Sequence, residues 1–184
     1  MIVSRILLSA LIVAVTSILF EASAQEREEC ILDEPKAIFK KGGFRYDRKT
    51  RIWRERLKLD EAITLTVETI QCENVSRKFT FEVRPAPESS PYVTAPYTRA
   101  IELLSRLEAY PQAEVNAAAR PFLTFSDAKK ALKAYADLVA NPRLREELTF
   151  RTLPESGFSE TVAVDTFRKN DVETVAITLT SGPY

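Results

Sequence analysis

Two runs of strict alternation within residues 63–84 constrain this chain more than anything else in it. Ile63, Leu65 and Val67 alternate with Thr64, Thr66 and Glu68, and Phe79, Phe81 and Val83 alternate with Thr80, Glu82 and Arg84. Side chains of an extended strand point to opposite faces in turn, so each run presents one apolar and one polar face. Residues 73–78 between them are polar apart from Val75, so the two runs read as a hairpin. The phase slips near Thr69, because Ile70 and Cys72 fall opposite Val67. A bulge there is expected to restore it.

Upstream lies the most unusual composition of the chain. Lys36, Lys40, Lys41, Arg45, Arg48, Lys49, Arg51, Arg54, Arg56 and Lys58 are opposed only by Asp47 and Glu55. Gly42-Gly43 and residues 47–50 mark turns, and the segments beside them read as extended. In residues 52–59, Trp53, Glu55, Leu57 and Leu59 share one face, while Ile52, Arg54, Arg56 and Lys58 share the other. This is a strand with an apolar face and a basic face. Residues 25–34 before it are acidic, with Glu26, Glu28, Glu29, Asp33 and Glu34 against Arg27.

Downstream, Pro85 and Pro87 forbid a continuing central strand, and residues 84–91 mark a loop. Pro96 suits the first turn of a helix, and Ala100, Ile101, Leu104 and Leu107 follow at helical spacing. Residues 112–120 are alanine-rich and suit a short helix. Ser126 is positioned as an N-cap with Asp127 in the first turn, ahead of an apolar stripe at Ala128, Ala131, Leu132, Tyr135, Leu138 and Val139. Residues 143–148 are expected to add a turn or two of helix. Two further alternating runs, 161–167 and 172–180, flank a polar turn at 168–171. The order strands, helices, strands predicts an α+β fold. An antiparallel β-sheet, from the N-terminal strands and a C-terminal hairpin, carries two main helices packed on one face. The expected organisation is one domain over 25–184: a β-rich half (25–84), a proline-rich loop (85–95), a helical middle (96–148) and a C-terminal β-hairpin (149–184).

Residues 1–24 read as a cleavable signal peptide. Arg5 supplies the positive leader, the segment from Ile6 to Phe20 is apolar, and Ala22-Ser23-Ala24 fits the cleavage pattern. That apolar run is shorter than the roughly 20 residues a spanning helix needs. The expectation is therefore a periplasmic or secreted protein with no transmembrane anchor after cleavage. In that setting the only two cysteines, Cys30 and Cys72, are expected to form one disulfide. Closing that loop would stabilise the fold by about 4 kcal/mol on a chain-entropy model.

Absences narrow the chemistry. With no histidine, Ser-His-Asp and Cys-His catalysis and imidazole-dependent zinc sites are excluded. Gly42, Gly43, Gly157 and Gly182 are the only glycines, and none forms a phosphate-binding loop. No cofactor is implied. Carboxylate chemistry remains, with Glu55, Glu68, Glu82 and Asp165 as strand-borne candidates; apolar neighbours would raise the Glu55 carboxyl. For Glu55 the plainer reading is an ion pair with a nearby arginine, or a place open to solvent at a strand margin.

Binding is the better-supported class. Arg45, Arg48, Arg51, Arg54, Arg56 and Lys58 are the candidate binding residues, because guanidinium forks suit carboxylate and phosphate oxygens. The expected partner is an envelope protein or an anionic lipid or glycan rather than nucleic acid. The competing readings are a solvated basic face neutralised by the acidic arm, an inhibitor or immunity-type protein against an envelope enzyme, and a carboxylate-dependent hydrolase. Asn74-Val75-Ser76 also fits a glycosylation sequon.

Overall fold

The alternation of residues 63–84 becomes two adjacent strands near the middle of a seven-stranded antiparallel sheet. The computed structural model describes residues 36–71, 74–88, 94–155 and 157–183. Its strands are β1 (Gly43–Asp47), β2 (Ile52–Lys58), β3 (Ile63–Gln71), β4 (Val75–Val83), β5 (Leu148–Leu153), β6 (Phe158–Lys169) and β7 (Val172–Pro183). They lie in the order β1-β2-β3-β4-β7-β6-β5. Two meanders, the first four strands and the last three, therefore join where β4 pairs with β7.

One face of the sheet is largely apolar. Leu57, Ile63, Leu65, Val67, Phe79, Phe81, Val83, Val162, Val164, Val175 and Ile177 are all buried on it. Two helices cover this face: α1 (Ala95–Glu108) and α2 (Ser126–Leu138). Pro96 sits in the first turn of α1, where its missing N–H costs nothing. From α1, Ala100, Leu103, Leu104 and Leu107 enter the core; from α2, Ala128 and Leu132 do. Burying each large side chain contributes roughly 1.5–3 kcal/mol. Phe125 closes the layer edge-on against Phe79, with ring centroids 5.4 Å apart. The predicted α+β architecture, with both helices on one face, is the observed one. Among the described residues no helix is long and apolar enough to cross a membrane.

Several local expectations need correction. There is no bulge at Thr69. Pairing of β3 with β4 runs without interruption from Ile63–Val83 to Gln71–Val75. Thr69 is buried in phase with Val67, and Ile70 is left 43% exposed on the other face. The register wins over the hydropathy of one residue, since a slip would turn out every side chain beyond it. The irregularity lies instead between Thr149 and Arg151 in β5.

Residues 143–147 form no helix, and the expected C-terminal hairpin is a three-stranded meander, because β5 pairs with β6. The Arg145 N–H bonds the carbonyl of Val164 at 2.8 Å, with Arg145 at φ 66°. That tie directs the chain into β5. The alanine-rich stretch 112–120 appears as two 3-10 turns, Gln112–Glu114 and Ala117–Leu123. Ser126 does not cap α2, whose N-cap position is Phe125 with no side-chain cap bond. Glu108 of α1 accepts the Phe125 N–H at 2.7 Å and also bonds Lys129, so the two helices are tied at that point. Residues 1–35, and with them the expected signal peptide and the acidic stretch, lie outside the described residues, as do both cysteines of the expected disulfide, Cys30 and Cys72.

Candidate functional site: a basic groove at the β1 edge

The sheet face away from the helices carries the polar half of each alternation. Across the register, Arg54 sits beside Glu68, Arg56 beside Thr66, and Lys58 beside Thr64. Arg45 lies opposite Arg54, and Gly43 opposite Arg56. Strand alternation thus brings Arg45, Arg54 and Arg56 to one side at the sheet margin. The β1–β2 connection adds Arg48 and Lys49. Asp47 shapes that turn by accepting the Lys49 N–H at 2.9 Å. The Thr50 side chain and the Lys49 N–H hold the Asp47 carboxyl below its ordinary value.

These residues enclose an open groove of about 900 Å³, lined by Gly43, Arg45, Tyr46, Asp47, Arg48, Lys49, Arg54, Arg56 and Thr66. Five cations face one carboxylate. They are not equivalent. Arg54 donates to Glu68 at 2.7 Å and to Asp47 at 3.5 Å, so its fork is fixed and largely neutralised. Arg56 reaches Glu82 only at 3.8 Å and is well exposed. Such a contact is worth little and yields readily to a competitor. Arg45, Arg48 and Lys49 make no ion pair among the described residues.

Of the six binding candidates, Arg45, Arg48, Arg54 and Arg56 line the groove. Arg51 is exposed at the end of the turn with φ 55°, and Lys58 is exposed at the far end of β2; neither is a lining residue. Five lining residues lie outside that candidate set: Gly43, Tyr46, Asp47, Lys49 and Thr66. Thr66 forms floor opposite Arg56, a position that its place in the alternation would have given. Gly43 leaves the groove wall empty, since a Cβ there would meet nothing within 4 Å.

On the helix-side face of the same margin three rings stack. Trp53 lies 5.1 Å from Phe44 and 4.2 Å from Tyr46, nearly parallel to both. This stack stiffens β1 against β2.

Among the described residues Glu55 pairs with no arginine, and it is shut away from solvent. It is 3% exposed on the helix side of β2. Its two carboxylate oxygens accept the N–H groups of Ile38 at 2.8 Å and Phe39 at 2.7 Å. Burial pushes its carboxyl up, against the pull of those two donors. It fastens the segment entering β1. The other candidate acids disperse: Glu68 binds Arg54, Glu82 lies between Arg56 and Arg84, and Asp165 binds Arg145 at 2.8 Å. Asp127 and Glu160 do flank a smaller cleft of about 170 Å³ beneath the start of α2, but both are held by Arg151 at 3.3 Å. The sequon residue Asn74 is exposed at the β3–β4 turn.

Comparison of the chain with family models, with curated proteins and with solved structures finds no match.

Proposed function

We propose that this chain is an exported, non-enzymatic envelope protein that binds an anionic ligand or an acidic protein partner in the basic groove. The supporting observation is the gathering of Arg45, Arg48 and Lys49, without ion pairs among the described residues, beside Arg54 and Arg56 around one hollow. Its volume suits a ligand-sized group, since such sites commonly run about 300–1,000 Å³. Cations that make no ion pair among the described residues need no such pair broken before they meet an incoming anion. Arg54 plays a different part: pinned by Glu68, it shapes the floor.

The test uses the mature protein with sulfated polysaccharide, anionic vesicles and acidic protein as probes, at low and high salt. Reversing Arg45, Arg48 and Lys49 together to glutamate should abolish binding while leaving the melting temperature within a few degrees, because none of the three is buried. Binding that survives this triple variant would locate the ligand elsewhere.

A further inference from the structure

We propose that β1 accepts an acidic, extended peptide segment of a partner protein as an eighth strand of the sheet. The proposal rests on the groove being an anion site, and it specifies the form of the anion. β1 is the end of the strand order, and all five of its residues pair in unbroken register with β2. Its outer side meets no other strand among the described residues. An edge of this kind presents alternate N–H and C=O groups that a further strand can satisfy. The opposite edge is less suitable, because β5 is interrupted between Thr149 and Arg151.

The two faces of β1 then state the chemistry of the guest. A strand laid beside it points successive side chains to opposite faces. On one face they pass over the groove, toward Arg45, Arg48 and Lys49, which make no ion pair among the described residues. Gly43 has open space around it and puts no side chain in the way. Acidic residues fit there. On the other face they meet the Phe44–Trp53–Tyr46 stack, where Tyr46 is still 43% exposed. Apolar residues fit there. The guest therefore alternates acid and apolar residues over about five positions. A second copy of β1 is a poor guest, since it would bring Arg45 against like charge, which is a common means of blocking self-association at edges. Lipid headgroups and glycans satisfy the charge but offer no strand backbone.

The experiment follows fluorescence of Trp53, the only tryptophan in the chain. The mature protein is titrated with a short blocked peptide alternating glutamate and valine. Parallel titrations use its lysine–valine counterpart and an analogue with backbone esters in place of amides. The glutamate peptide should shift the Trp53 emission and saturate, and the lysine peptide should not. Losing several backbone donors should weaken the ester analogue about tenfold to a hundredfold. Arg45→Glu should weaken the glutamate peptide with no change in fold by circular dichroism. If peptide and ester bind equally, strand addition is wrong while the groove remains an anion site. If the peptide fails but sulfated polysaccharide or anionic vesicles bind, the guest is not a strand. If no anion binds at all, the groove reading falls as well.

Discussion

A carboxylate set among apolar side chains usually draws in a cation, but Glu55 takes two backbone N–H groups instead. Removing the acceptor leaves both donors unsatisfied, each costing about 1–3 kcal/mol. We therefore expect Glu55→Ala to lower the unfolding free energy by about 2–5 kcal/mol in urea titrations. The pH dependence follows from the direction of the shift. The folded carboxyl titrates above its ordinary 4.5. The stability linked to Glu55 is therefore full below that value and declines as pH rises through the folded pKa. Glu55→Gln should flatten this part of the stability profile, measured as melting temperature against pH, even though the variant is less stable overall. Gly42 belongs to the same clasp. A Cβ there would stand 2.6 Å from the Glu55 Oε1, so Gly42→Ala should cost about 1–3 kcal/mol in the same assay. Nothing in the sequence near Glu55 signals this role. Its partners lie 16 and 17 positions upstream and are backbone atoms, to which residue patterns are blind.

Among the elements, those with two-sided contrast were legible, and the interrupted edge strand β5 was not. β3, β4 and β7 have one face in the core and one in solvent, so period-two alternation survives in their residues. α1 and α2 likewise show their buried stripes, although Leu138, the last residue of α2, is 83% exposed. β5 was missed because it is an edge strand, mostly exposed and interrupted in register. The turn between β6 and β7 can be tested directly. Lys169 pairs with Val172, and Asn170 between them adopts φ 55°. Asparagine and glycine tolerate that conformation, whereas a β-branched residue does not. Asn170→Gly should leave the melting temperature nearly unchanged. Asn170→Val should cost about 1–2 kcal/mol by chemical denaturation. A loss of equal size in both variants would show that the Asn170 side chain, and not its backbone, holds the turn.

For the whole molecule, a formal net charge of zero conceals strong polarity. The basic side chains cluster between residues 36 and 58, and the groove draws five of them to one margin. Local fields of this kind act on ligands whatever the total charge. Anion affinity should consequently fall steeply as the screening length contracts from about 10 Å at 0.1 M salt to about 3 Å at 1 M. A flat salt dependence by titration calorimetry would count against the groove. Cationic residue types and their strand phase could be read in the sequence. Which cations are already paired could not, because Glu68 meets Arg54 only once β2 and β3 are in register. The proposed Cys30–Cys72 link is also a whole-chain matter. Alkylation of the unreduced, denatured protein should label neither cysteine, and reduction should lower the melting temperature. The meeting of the two meanders has a consequence for biogenesis. Val83 finds Glu173 only after the intervening helices and two further strands have been made. Until then a ribosome-bound chain keeps a hydrophobic seam unzipped. If the chain is exported as proposed, that delay would keep it threadable, and it would leave chaperones to shield β4 until β7 emerges.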